Sequence, residues 1–152
     1  MEPKMITYQP QYKQRFIDLN TAWLEEYFFV EQHDKDVFEN IEKVILEPGG
    51  EIFFCLLDDE VVGTVAMQKV NDSVIEMAKL AVDKKHQGKK LGNLLVDACI
   101  DFTKSHNYKT LMLVSSTKLD TALNLYRKYG FTETPLAETD YHRADIQMEL
   151  NL

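Results

Sequence analysis

The sequence predicts an α/β protein with a mixed central sheet of six to seven strands and about four flanking helices, in the order β-α-α-β-β-β-α-β-α-β. Two N-terminal segments carry apolar residues at helical spacing, and three apolar runs joined by short polar turns follow them. The C-terminal half then alternates helical and strand patterns. Hairpin-linked strands followed by β-α-β units favour a mixed sheet with helices on both faces.

The N-terminal third supplies one strand and two helices. Residues 5–8 predict a short first strand. An amphipathic helix is then indicated by residues at spacings of four, three, four and four, namely Tyr12, Phe16, Leu19, Trp23 and Tyr27. Residues 31–36 predict a polar connection. A second helix is marked by Val37, Ile41, Val44 and Ile45, and it ends at the turn residues 48–50.

Three consecutive strands follow this turn. Residues 52–57 form a continuous apolar run, which is typical of a central strand. The acidic residues 58–60 predict a hairpin turn into a strand over residues 61–69. Another turn, over residues 71–73, leads into a strand at Val74–Val82.

The C-terminal elements follow the same logic. One helix is indicated by Leu91, Leu94, Leu95, Ala98 and Phe102. Residues 111–114 predict a buried strand. A last helix is indicated by Ala122, Leu125, Tyr126 and Tyr129, with Gly130 as its C-terminal cap. Residues 144–150 predict the final strand, with a short extra strand near Thr132.

Composition limits the functional classes. We expect one domain over residues 1–152, and the formal charge of −8 argues against nucleic acid as a partner. Cys55 and Cys99 lie in apolar runs and predict buried thiols, and no spacing of His and Cys predicts a metal site. Because no apolar segment predicts a signal peptide or a membrane span, we expect a cytoplasmic protein. The sequence leaves monomer and homodimer equally open.

The turn between Val82 and the following helix is the strongest functional signal. A glycine-bearing turn at a helix N-terminus leaves backbone N–H groups for an anion. Four lysines lie in this turn, at positions 84, 85, 89 and 90. The glycines at 88 and 92 fit neither the GxGxxG dinucleotide pattern nor the GK[ST] ending of a P-loop. The turn therefore predicts a site for another phosphorylated cofactor.

Two motifs carry a family resemblance. The run Gln87-Gly88-Lys89-Lys90-Leu91-Gly92 resembles the acyl-CoA pyrophosphate loop of the GNAT N-acetyltransferase superfamily, Gln/Arg-x-x-Gly-x-Gly/Ala, with Lys90 at the middle glycine position. The run from Ala122 through Tyr126 to Gly130-Phe131 is similar to the later motif of the family. Leu119 stands where the family often has Asn, and Ser116 or Asn124 is a substitute for that polar contact.

The resemblance implies the GNAT fold, with acetyl-CoA bound where two parallel strands splay apart and with no metal. Backbone groups near Leu80 and Val82 would pair with the pantetheine arm like an added strand. Amides of residues 87–93 would hold the pyrophosphate. The implied cofactor residues are Leu80, Ala81, Val82, Gln87, Gly88, Lys89, Lys90, Leu91, Gly92, Asn93, Ser116, Asn124 and Lys128.

The resemblance also implies two catalytic residues. Glu76 would accept the amine proton through water and attract the cation, because a carboxyl with a pKa of about 4.3 is a weak base. The alternative is a solvated glutamate at the start of a strand. Tyr126 would stabilise the leaving thiolate, since a tyrosine is a weaker acid than a thiol. Its alternative is a core tyrosine.

In this fold the acceptor enters between the first two helices and the last two strands. The implied substrate-binding residues are Tyr27, Phe29, His33, Tyr141 and Arg143, whereas we expect Trp23 to be a core residue. Arg143 would clamp a carboxylate of an amino-acid-like acceptor, with a structural ion pair as the alternative.

Three functions follow from this resemblance. The first is direct transfer of an acetyl group to a primary amine of a small molecule. The second is acetylation of a peptide or protein amine, and the third is a non-catalytic acyl-CoA sensor.

Overall fold

The computed structural model describes residues 2–139 and 141–152 of the chain and contains one seven-stranded sheet. The elements are β1 (Lys4–Thr7), α1 (Lys13–Tyr27), α2 (Gln32–Glu39), β2 (Glu51–Leu57), β3 (Glu60–Lys69), β4 (Val74–Val82), α3 (Leu91–Ser105), β5 (Thr110–Ser115), α4 (Asp120–Lys128), β6 (Thr132–Thr134) and β7 (Ile146–Asn151). The strand order is β1-β2-β3-β4-β5-β7-β6. Within it, β4 and β5 are parallel and the other neighbours are antiparallel, which confirms the predicted mixed sheet.

The start of the second helix differs from the prediction. The prediction of a polar connection over residues 31–36 is wrong, because α2 begins at Gln32. Its first turn is held by a capping box, in which the Glu31 N–H donates to Asp34 Oδ2 at 2.9 Å. Of the apolar residues expected in the same helix, Val37 lies in α2, whereas Val44 and Ile45 lie in a separate π-helical turn at Glu42–Leu46. The charged residues Glu31 and Asp34 cap the helix, but in the sequence their polar character is also typical of a loop.

Helices cover both faces of the sheet. Phe16 and Ile41, from α1 and the segment after α2, pack with Ile52 and Phe54 on one face. On the other face, α3 and α4 cover a second cluster that contains Cys55, Cys99, Leu95 and Tyr126. Both cysteines are free and buried, as predicted. Within the described residues, no helix combines the length and the apolar character that crossing a membrane requires.

Two irregularities open the sheet next to β4. Parallel pairing between β4 and β5 runs only from Val74–Thr110 to Glu76–Met112, so the strands diverge after Glu76. On its other edge, β4 carries one extra residue relative to β3, because Thr64 pairs with Ala81 and Ala66 with Ala78. Lys79 lies in this bulge with a left-handed φ of 59°. The gap between β4 and β5 is where the candidate site lies.

Candidate active site

A cavity of about 990 Å³ fills the gap between the diverging strands. Its walls come from β4 and β5, the turn after β4, the first turns of α3 and α4, the C-terminal end of α1 and residues 141, 143 and 144. The cavity therefore borders both the glycine turn and the aromatic end of α1. This shape suits an elongated ligand with a phosphate group at one end.

The glycine turn is built to receive an anion. Gly88 has a φ of 85° and Lys90, the N-cap of α3, has a φ of 61°, so the chain makes two left-handed steps before the helix. In the described structure no side chain caps the N-terminus of α3, and its first turn holds no acidic residue. The amides of Leu91, Gly92 and Asn93 are thus left for a ligand, and the helix dipole adds a partial positive charge.

Lys90 departs from the glycine pattern of the family without changing the backbone. It adopts the left-handed conformation that glycine adopts freely, at a cost of about 1–2 kcal/mol for an L-residue. The turn is supported by the side chain of Gln87, whose Nε2 donates to the Val82 carbonyl at 3.3 Å. The hydroxyl of Tyr129, the residue after α4, lies 2.8 Å from Asp97 Oδ1 and 3.0 Å from the Asn93 carbonyl, so its one hydrogen can donate to either acceptor, and this links the end of α4 to α3.

Tyr126 lies at the middle of the cavity wall on α4. Its side chain is buried, 7% exposed, and packs against Phe131 with ring centroids 5.9 Å apart. Burial raises the pKa of the Tyr126 hydroxyl above its usual value, and the nearby Cys99 thiol adds to this shift. The hydroxyl therefore stays protonated at neutral pH and remains a hydrogen-bond donor.

Glu76 lies at the point where β4 and β5 separate, and it lines the same cavity. The side chain is half-buried and acts electrostatically on Lys79, three residues along the strand. Glu76 and Tyr126 thus line one cavity, as the sequence predicted.

Aromatic side chains line the part of the cavity beside the end of α1, where the acceptor is expected. We call this part the acceptor end. Trp23 packs against Tyr27 and Phe28 with ring centroids 5.4 and 5.9 Å apart, and all three line the cavity. Trp23, expected in the core, is half-buried. Phe28 was not predicted, although its place beside Tyr27 at the end of α1 was a usable signal. The Lys118 ammonium lies 5.9 Å from the Phe28 ring centroid.

Behind the acceptor end lies a cluster of four charged residues, Glu31, Asp34, Lys79 and Arg143, which we call the charge cluster. Arg143 donates from Nη1 to Asp34 Oδ2 at 2.8 Å and from Nη2 to Oδ1 at 2.9 Å. Its Nη1 also donates to Glu31 Oε2 at 3.2 Å. Lys79 forms an ion pair with Asp34 from the other side. Arg143 thus makes the structural ion pair that the sequence left as one alternative.

The contacts and the burial of this cluster shift the pKa values of Asp34 and Lys79. Burial would raise the pKa of Asp34, but hydrogen bonds from Arg143 and Lys79 outweigh it and lower the pKa overall. Burial lowers the pKa of the Lys79 ammonium, and Asp34 offsets only part of that effect. Lys79 was missed as a site residue, although a lysine within the apolar run of residues 77–81 was a visible irregularity.

Most of the predicted site residues come together. All predicted cofactor residues line the cavity except Ala81, which is buried in the core, and Lys89, whose ammonium lies 3.0 Å from His86 Nδ1. Of the predicted acceptor residues, the cavity is lined by Tyr27, Tyr141 and Arg143 but not by Phe29 or His33. His33 packs edge-on against Tyr141 instead, with centroids 4.8 Å apart. The described residues contain no group of three or more His, Cys, Asp or Glu side chains suited to a metal.

Comparison with solved structures supports the fold. A GNAT-family acetyltransferase from Staphylococcus aureus Mu50 superposes with a TM-score of 0.88 and 23% identity, covering 99% of both chains. A GNAT-family acetyltransferase from Elizabethkingia anophelis, solved with acetyl-CoA bound, has a TM-score of 0.72 and 18% identity, covering 99% of this chain and 98% of that one.

Comparison of sequences supports the family. N-acetylaspartate synthetase from Mus musculus is 31% identical over 94 residues, which cover 60% of this chain but only 31% of the mouse protein. The match therefore spans about a third of that relative. The family model for the acetyltransferase (GNAT) family matches residues 17–131, which is more than half of the sequence. The chain therefore belongs to the acetyltransferase (GNAT) family.

Proposed function

We propose that this protein transfers an acetyl group from acetyl-CoA to a primary amine of a small molecule. The observation that carries the proposal is that the uncapped N-terminus of α3, Glu76 and Tyr126 all line the same cavity. The pyrophosphate of CoA would bind the amides of residues 88–93. The bound acetyl-CoA of the Elizabethkingia structure supports this cosubstrate for the fold.

The chemistry follows from the charges along the cavity. Glu76 would attract the ammonium form of the acceptor, and water beside it would carry the proton away. The neutral nitrogen would then attack the thioester carbon directly within a ternary complex. Cleavage of the carbon–sulfur bond leaves a thiolate, and the protonated Tyr126 hydroxyl would donate a hydrogen bond to it. Holding both reactants in one gap supplies much of the acceleration.

The preference for a small acceptor rests on the acceptor end. Trp23, Tyr27 and Phe28 pack together as an aromatic wall, and Tyr141 and Arg143 line the same cavity. The name of the mouse relative refers to an acetylated amino acid, which supports a small amine acceptor. A peptide or protein amine remains the second candidate, because Tyr27 at 45% and Phe29 at 64% exposure offer an open apolar surface beside the cavity.

Two further proposals accompany this function. Since an acetyl-CoA-dependent enzyme needs a supply of its cosubstrate, we place it in the cytoplasm. We treat residues 1–152 as one catalytic domain, which acts without a metal, a nucleic acid or a membrane.

The test is thiol release from acetyl-CoA with a panel of amines, amino acids, polyamines and short peptides, together with calorimetry of CoA binding. We expect CoA binding and thiol release that depends on a small amine, with the N-acetylated product identified by mass spectrometry. Turnover restricted to peptides would favour the second candidate. Binding without turnover on any amine would contradict catalysis and leave an acyl-CoA sensor.

A further inference from the structure

The charge cluster has an unequal supply of hydrogen-bond donors and acceptors. Asp34 Oδ1 accepts from Lys79 and Arg143 Nη2, and Oδ2 accepts from the Glu31 N–H and Arg143 Nη1. Glu31 Oε1 accepts from the His142 N–H at 2.9 Å, and Oε2 accepts from the Arg143 N–H and Nη1. Both carboxylates are thus well satisfied from within the protein.

Lys79 and Arg143 have more N–H donors than the hydrogen bonds that they form among the described residues. An ammonium has three N–H donors and a guanidinium has five. Among the described residues, Lys79 Nζ donates only to Asp34, and the Nε of Arg143 makes no hydrogen bond. The Tyr141 ring lies 4.8 Å from Lys79 Nζ and 4.2 Å from Arg143 Cζ, and a ring face is a weaker acceptor than a carboxylate.

The residues with unused N–H donors are the two members of the charge cluster that line the cavity. Lys79 and Arg143 line the cavity, whereas Glu31 and Asp34 do not. The side chains of Lys79 and Arg143 are only 6% and 15% exposed, so a group that reaches them is shielded from water. Hydrogen bonds from a desolvated cation to an anion are the strong kind. The wall of the acceptor end is therefore suited to an anionic oxygen group.

We propose that the acceptor amine carries a carboxylate and that Lys79 and Arg143 bind this group. The proposal rests on the acetyltransferase function proposed above and names its substrate class as amino acids. Glu76 lies on the same strand as Lys79, so a zwitterion would place its ammonium towards Glu76 and its carboxylate towards the charge cluster. Asp34 does not line the cavity, and its carboxylate balances the charge of the two cations from behind.

Matched pairs of acceptors test the proposal on the intact protein. Each pair is an amino acid and its decarboxylated amine, which keeps no carboxylate: phenylalanine with phenethylamine, leucine with isopentylamine and lysine with cadaverine. We expect kcat/KM for the best amino acid to exceed that for its partner by roughly tenfold to hundredfold, the range for hydrogen bonds to charged groups. The carboxamide of the best amino acid should behave like the decarboxylated partner.

Two variants separate binding from a merely structural role. Lys79→Met should raise KM for the amino acid roughly tenfold and leave KM for its decarboxylated partner nearly unchanged. Asp34→Asn retains both cations and should keep the preference for the carboxylate. The double variant Lys79→Met/Asp34→Asn keeps the charge balance and should lose the preference, which guards against unfolding of the single lysine variant.

The outcomes are distinguishable. Loss of the preference in both Lys79 variants but not in Asp34→Asn supports the proposal. If kcat/KM falls equally for both members of a pair in all variants, the proposal is overturned in favour of a structural role. Equal turnover of both members by the unchanged protein overturns the carboxylate site and leaves the acetyltransferase function intact. Bound acetyl-CoA without turnover of any amine overturns both.

Discussion

Gly92 allows CoA binding to be separated from folding. It is the second residue of α3, and a Cβ added there would meet only Leu125 Cδ2, at 3.6 Å, an ordinary van der Waals distance. Gly92→Asp therefore fits the unliganded fold. An acidic residue in the first turn also interacts favourably with the helix dipole, by about 0.3–1 kcal/mol. We expect the melting temperature of the variant to equal or exceed that of the unchanged protein.

The same carboxylate would lie beside the proposed pyrophosphate. Two like charges about 4 Å apart repel by about 4 kcal/mol at an effective dielectric constant of 20. At about 1.4 kcal/mol per factor of ten, this repulsion corresponds to nearly a thousandfold loss of affinity. Salt screening reduces it, so we expect the Kd for CoA to rise at least about a hundredfold.

Calorimetry with CoA and thermal melting without it measure the two effects. Gly92→Ala is the matched control, because it adds the same Cβ without a charge and should bind CoA nearly as well as the unchanged protein. An unchanged Kd in Gly92→Asp would refute the assignment of the pyrophosphate to this turn. A collapse of the melting temperature in Gly92→Ala would refute the reasoning about space at this position.

Three further predictions concern other parts of the chain. Tyr126→Phe should lower kcat roughly tenfold to hundredfold with little change in KM for acetyl-CoA; unchanged kcat would remove its role. Lys90→Gly should raise the melting temperature by about 2 °C by relieving the left-handed strain, and a lower value would contradict it. Asp34 has a lowered pKa in the fold, so its stabilisation is present above the usual carboxyl pKa of about 4 and disappears as pH falls. The difference in urea midpoint between Asp34→Asn and the unchanged protein should therefore be larger at pH 7 than at pH 3; equal differences would contradict it.

The architecture was predictable because local patterns determine it. Apolar periodicity marked α1, α3 and α4, and the acidic pair at positions 58 and 59 forms the predicted hairpin turn, with both residues at positive φ. The glycine turn and Tyr126 were found because the chemistry of their motifs needs particular residue types at fixed spacing. Both lie in contiguous stretches of sequence.

The acceptor end was less predictable because it is built from distant residues. Arg143 reaches Glu31 and Asp34 across more than a hundred residues, and no local pattern indicates such a pairing. The bulge at Lys79 was equally hidden, since a lysine rarely adopts a left-handed backbone and no glycine marked the position. The pairing between β4 and β5 ends at Glu76, and the position of that end depends on how the strands pack in the fold and not on strand propensity.

The most direct test of the central claim is a crystal structure of the protein with CoA. The account predicts CoA in the gap between β4 and β5, with pyrophosphate oxygens within hydrogen-bonding distance of the amides of residues 88–93. It also predicts the sulfur beside the Tyr126 hydroxyl, on the side that faces Glu76. CoA bound outside this gap, or a sulfur directed away from both residues, would contradict the account.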